Sequence, residues 1–161
     1  MAHPRPVALK SDLKTALQRA LEQTLANLNA AHADTREAAT HEEAKPENDK
    51  DTRALEQSYL ARGQAARIAA LQSGLAAVAT MSIAPTRVAR AGALITTEDD
   101  EGQVARWFLA PDGGGLRLPG EVLVVTPVSP VGAALSGRSA GDELELALRG
   151  RRRTLSVTAV E

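Results

Sequence analysis

The stretch SDLKTALQRALEQTLANL, residues 11–28, carries leucine at positions 13, 17, 21, 25 and 28, with polar residues and alanine between them. Steps of four, four, four and three put those leucines on one side of an α-helix, because side chains three and four apart share a face. Ser11 is placed to cap the first turn, and the alanine-rich continuation to about Thr40 prolongs the helix at low conformational cost. A second pattern of the same period starts near Asp51. It passes through Leu55, Tyr59 or Leu60, Ala66 or Ile68, Leu71, Leu75 and Val78, and closes before Pro85.

Between the two patterns lies HEEAKPENDKD, residues 41–51. Pro46 lacks an amide hydrogen and cannot sit inside a continuous helix, and Asn48 favours a turn. Neither narrow stripe can be buried alone, so the two helices are expected to pack antiparallel. At 1.5 Å per residue, helices of roughly 28 residues would make a rod about 42 Å long. From Asp34 to Glu56 there are eight acids and four bases, so the rod is expected to end in an acidic tip.

Beyond Pro85 the period falls to two. Residues 92–97, 104–109, 121–126, 143–148 and 154–160 read as short strands; Leu144, Leu146 and Leu148 share one face, as do Leu155, Val157 and Ala159. Glu98–Gly102, Pro111–Gly115 and Arg149–Arg153 read as the turns between them, and Pro130–Gly137 has room for one short helix ended by Gly137. The expected fold is α+β. An N-terminal antiparallel two-helix coiled coil, residues 1–80, leads through a linker, 81–90, to a small antiparallel β domain with one short helix, 91–161.

Composition closes several functional classes. With no cysteine there is no disulfide framework, thiolate zinc site or cysteine nucleophile. His3, His32 and His41 have no H-x-x-x-H spacing, and no serine sits in a G-x-S-x-G elbow. The two halves of the chain, split at residue 85, are each nearly neutral, which disfavours a stand-alone duplex binder. No apolar run approaches the roughly 18 residues of a membrane span, and the N-terminal residues lack a signal-like apolar stretch. A cytoplasmic chain without membrane contact is expected.

Among chemistry-bearing residues, Glu43, Glu47, Asp49 and Asp51 would crowd the tip, where carboxylates attract a hard cation or a basic partner or are simply solvated. His41 beside them has no spaced partner. Gly113–Gly115 lacks the lysine and hydroxyl of a phosphate loop and reads as a hairpin turn. Arg149 and Arg151–Arg153 read as a solvated hairpin. Trp107 and Phe108, adjacent on a strand, must point to opposite faces; at least one of them is expected in the core, with Trp107 the candidate for a surface anchor.

The segment VTPVSPVGAALSGRSAGDELEL, residues 125–146, resembles the C-terminal domain of the bacterial transcript-cleavage factors GreA and GreB, with Ser129, Pro130, Gly137, Arg138, Gly141 and Asp142 carrying the match. That family joins an antiparallel coiled coil to an FKBP-like β domain. The resemblance implies a partner of RNA polymerase that enters its secondary channel, meets nascent RNA and DNA only indirectly, and is not itself an enzyme; the coil gives no register signal such as a buried Asn that would support oligomerisation, so a monomer is expected. The resemblance also implies that tip acids help hold a Mg²⁺ belonging to the polymerase, with no cofactor of the chain's own and no metal held stably by it alone. Glu47-Asn48 matches the family's second tip acid and its neighbour. The position three before Glu47 is Ala44; reading Pro46 as an insertion puts Glu43 at the first acid, with Asp49 and Asp51 as further substitutes. Two alternatives stay open. One is a non-cleaving channel regulator of the DksA kind, without its zinc cysteines, and the other is an FKBP-type prolyl isomerase or interaction module, for which three aromatics in the whole chain make a poor pocket.

Overall fold

The computed structural model describes residues 9–43, 52–148 and 150–161. Helix α1, Lys10–Glu43, and helix α2, Thr52–Thr80, form an antiparallel pair. The register is fixed by side chains that cross between them. Lys14 Nζ donates to Ala79 O and Met81 O, both at 2.8 Å, Lys10 Nζ donates to Ala84 O at 3.1 Å, and His32 Nδ1 lies 3.4 Å from Gln64 Oε1. Continued outward, that register brings Glu43 level with Thr52, so both helices end together. Lys14 also completes the end of α2, because its ammonium occupies the Ala79 carbonyl of the last turn and the Met81 carbonyl just beyond it.

The α1 stripe is buried at Leu13, Leu17 and Leu21 and half-buried at Leu25, Leu28, His32 and Thr35. Its partner on α2 differs from the expected one. From Val78 the seam steps back through Leu75, Leu71, Ile68, Gln64, Ala61 and Gln57, while Leu55, Tyr59, Leu60 and Ala66 are exposed. Alternating steps of three and four define this face, and the apolar residues near the start of α2 lie off it. Ser11 does not cap α1. Leu9 O accepts from Asp12 N and Leu13 N at 2.9 and 3.1 Å, so the first turn has already begun and Ser11 is inside it.

Strands β1, Leu94–Asp99, β2, Val104–Leu109, β3, Arg117–Leu118, β4, Val122–Val125, β5, Glu143–Leu148, and β6, Arg151–Val160, form one sheet in the order β3-β4-β2-β1-β6-β5. Neighbours run antiparallel except β2 and β4, which pair in parallel from Arg106 opposite Val122 to Leu109 opposite Val125. A parallel neighbour needs a long crossover. Residues 110–121, including the short β3, supply it. Of the arginines expected in a turn, Arg149 lies outside the described residues, while Arg151, Arg152 and Arg153 belong instead to the start of β6, where they pair with Leu148, Ala147 and Leu146. Helix α3, Pro130–Leu135, follows β4.

Period-two alternation sorts the side chains into two cores. On one face Leu94, Phe108, Leu118, Val122 and Val124 pack with Leu13, Leu17, Leu21, Val78 and Met81, so the base of the helix pair and the sheet share one core. On the other face Ile95, Trp107, Leu109, Val125, Leu144, Leu155 and Val157 pack with Leu135 of α3. Phe108 and Trp107 thus go to opposite faces, and both are buried. The indole of Trp107 donates to Thr97 Oγ1 at 2.8 Å, so its polar edge is satisfied inside the core.

Candidate functional site

The residues singled out in the 125–146 segment build a turn system around α3. Ser129 Oγ accepts from Gly132 N at 3.1 Å and donates to Thr126 O at 2.8 Å, while Pro130 opens the helix at a position needing no amide hydrogen. Gly132 is required by crowding, since a Cβ there would lie 1.9 Å from Thr126 O. At the other end Gly137, with φ of 79°, turns the chain so that Ala89 N and O meet Arg138 O and Gly137 N at 2.7 and 2.8 Å. Gly141 N donates to Val157 O at 2.8 Å, and Asp142 Oδ2 accepts from Ser139 N at 2.8 Å. Ser129, Pro130, Gly137, Arg138, Gly141 and Asp142 therefore act by fixing the backbone, Ser129 and Asp142 through their side-chain oxygens and the others through main-chain geometry. They tie residues 88–89, α3 and the start of β5 together, and their role visible in the structure is architectural.

The proposed tip acids fall elsewhere. Glu47, Asp49 and Asp51, the side chain of Glu43, and His41's side chain lie outside the described residues. What is described is the frame that carries them. Leu21 is the last fully buried leucine of α1, and α1 runs on to Glu43; at 1.5 Å per residue the pair projects about 33 Å beyond that point. Near its free end α2 exposes Leu55, Tyr59 and Leu60 by 57, 62 and 55%. Large apolar side chains grouped on a projecting helix mark a surface that a partner can cover. The sequence pattern places those three residues on the helix–helix seam, whereas they lie off it; the three-four spacing from Ile68 back to Gln57 is the signal that separates the two faces.

A second concave feature lies on the α3 side of the sheet. The face that forms the core beneath α3 continues past the helix into an open groove of about 480 Å³ lined by Trp107, Leu123 and Leu155 of the sheet and by Val131 of α3. Its wall is an ion pair. Arg153 Nη1 donates to Asp99 Oδ2 at 2.5 Å and lies 3.5 Å from Glu101 Oε2, while Asp99 Oδ1 accepts from Glu101 N and Gln103 N at 2.9 and 2.8 Å. Those backbone amides, Gln103's first, hold the Asp99 carboxyl below its usual range with help from Arg153, and the same pairing raises the Arg153 guanidinium. Among the described residues no cluster of three metal-ligating side chains occurs, and no helix is long and apolar enough to cross a membrane.

Solved structures similar to this chain include GreA factor homolog 1 (Gfh1) of Thermus thermophilus, at 19% identity and a TM-score of 0.41, covering 91% of this chain and 95% of that one. Gfh1 of Thermus aquaticus is similar at 22% identity and a TM-score of 0.42, covering 91% and 95%. The prokaryotic transcription elongation factor GreA/GreB from Nitrosomonas europaea has 22% identity and a TM-score of 0.39 over 47% of this chain and 62% of that one. These are factors of the kind that residues 125–146 resemble. At such values no residue role passes from them to this chain. No protein-family model matches the chain, and no curated protein matches it.

Proposed function

We propose that the chain is a divergent GreA/GreB-like transcription factor that binds RNA polymerase by inserting the free end of its helix pair into the secondary channel. The observation that carries this reading is the exposure of Leu55, Tyr59 and Leu60 at the end of a long rod, next to an acid-rich segment. Apolar side chains there gain free energy only when a partner removes them from water, and a narrow rod suits a channel. The chain itself performs no chemistry in this reading. Glu47, assisted by Glu43, Asp49 or Asp51, would share a Mg²⁺ with the polymerase, and the ion would supply Lewis acidity for hydrolysis of a backtracked transcript. A carboxylate donor set suits that hard cation.

A non-cleaving regulator of the same channel is the second reading, and Ala44, three residues before Glu47, is what favours it. Transcript length in purified backtracked complexes, followed with and without the chain and paired with co-elution, separates the two. Shortened RNA that disappears with Glu47→Ala supports cleavage stimulation. Co-elution without shortening supports the regulator, and loss of co-elution in Tyr59→Ala places the contact on the rod. Failure to co-elute at all overturns both readings.

A further inference from the structure

The groove beside α3 is unrelated to the rod, and its composition is unusual for a solvated sheet face. Along β6 the side chains alternate, so Arg151 and Arg153 lie on the face that continues inward as Leu155 and Val157. Two guanidinium groups thus follow directly on a buried apolar row. The lining is hydrocarbon and indole: Trp107 and Leu155 of the sheet are buried, and Leu123 of the sheet and Val131 of α3 are half-buried. The volume, about 480 Å³, is that of a small-molecule site.

The charges in this groove are not equivalent. Asp99 is saturated, with one oxygen on two backbone amides and the other on Arg153. Arg153 is in turn neutralised by Asp99 and Glu101. Arg151 is exposed and makes no ion pair among the described residues, yet it lines the groove. One guanidinium is therefore left to meet an incoming anion at the margin of an apolar floor, and its planar fork matches a carboxylate bidentately.

We propose that this groove is a binding site for a small amphipathic carboxylate, whose apolar body lies on Trp107, Leu123 and Leu155 and whose carboxylate pairs with Arg151. The indole nitrogen is already engaged with Thr97, so the ring offers the ligand its apolar surface. Arg153, locked by Asp99, shapes the wall beside the incoming head group without giving up its own partner.

Trp107 is the single tryptophan of the chain, so its emission reports on the groove without a label. The test titrates the full chain with octanoate and, separately, with 1-octanol, a neutral compound of the same length. A saturable change in emission with octanoate, half-maximal at a concentration about tenfold lower than for 1-octanol, is expected of one added charge-assisted pairing. In Arg151→Gln that difference is expected to vanish, while Arg62→Gln on α2 keeps it. Arg151 is exposed, so an unchanged melting temperature will confirm that its variant folds. No saturable change in the wild-type chain overturns the site. Equal response to the two compounds, or an Arg151→Gln variant that still prefers octanoate, overturns the assigned role of the guanidinium.

Discussion

The Asp112 side chain occupies the space that a side chain on Gly74 would need: a Cβ at Gly74 would meet Asp112 Oδ2, Cγ and Cβ at 1.8, 2.6 and 2.9 Å. The loop after β2 is thereby seated in a notch of α2, and next to it a Cβ on Gly113 would lie 2.5 Å from Leu17 Cδ1 of α1. In an open helical position glycine to alanine stabilises by up to about 1 kcal/mol, and Gly63, with nothing within 4 Å, is such a position. Gly63→Ala is expected to raise stability. Gly74→Ala is expected to lower it by about 1–3 kcal/mol through overpacking, and Asp112→Ala should relieve most of that loss. Urea unfolding of the three single variants and the Gly74/Asp112 pair measures the coupling.

Leu17 is fully buried where both helices meet the sheet. Leu17→Ala should cost about 2–5 kcal/mol, the range for an aliphatic side chain cut from a packed core. Because the base of the rod and the sheet share that core, the helix signal in circular dichroism and Trp107 emission are expected to lose their structure at the same urea concentration. A sheet that outlasts the rod by a clear interval would contradict the shared core.

Lys14 holds the last carbonyls of α2 from the opposite helix. Lys14→Met keeps the methylene stem and removes the ammonium. It is expected to cost about 1–2 kcal/mol, as for a partly buried cation at a helix C-terminus, and hydrogen exchange should speed up at residues 76–81 ahead of the rest of α2.

Asp99 sets a dependence on acid. Its carboxyl is lowered from a reference of 3.8, chiefly by the Gln103 amide, so its contribution is present above that reference and is lost as pH falls through the lower native value. Asp99→Asn removes the titration. The urea midpoint of the wild-type chain should therefore fall more steeply than that of Asp99→Asn between about pH 5 and about pH 2. Parallel curves would show that Asp99 carries no share of the acid sensitivity.

Much of this architecture is legible in the sequence, for definite physical reasons. A leucine stripe at 13, 17, 21, 25 and 28 permits one helix face, and strands β2 and β5 fall at the bounds expected from the sequence, 104–109 and 143–148, each followed by turn residues. Other features depend on contacts that local pattern does not encode. β3 has two residues and therefore no period, and the parallel pairing of β2 with β4 is a choice of neighbour. Arg153 looks like part of a solvated turn until Asp99, 54 residues away, is placed against it. The distal seam is not legible in apolar spacing, because Leu55 and Tyr59 satisfy a helical spacing of four, yet the face they define is exposed while Gln57, Ala61 and Gln64 make the contact. In the candidate site, the acids at 43–51 are conspicuous by charge alone, and Leu55, Tyr59 and Leu60 become conspicuous only once the register of the pair is known.

The two margins of the sheet are guarded by different means. At one end β3 offers only two residues for pairing; at the other β5 sets the exposed Glu143 and Glu145 along its free side. A row of unpaired amides and carbonyls is a template for another chain, and brevity and like charge each deny it. Like charge on Glu143 and Glu145 would oppose pairing of β5 with a second copy, and a chain with both glutamates neutralised would be expected to associate more readily by sheet extension while the fold of each chain stayed intact.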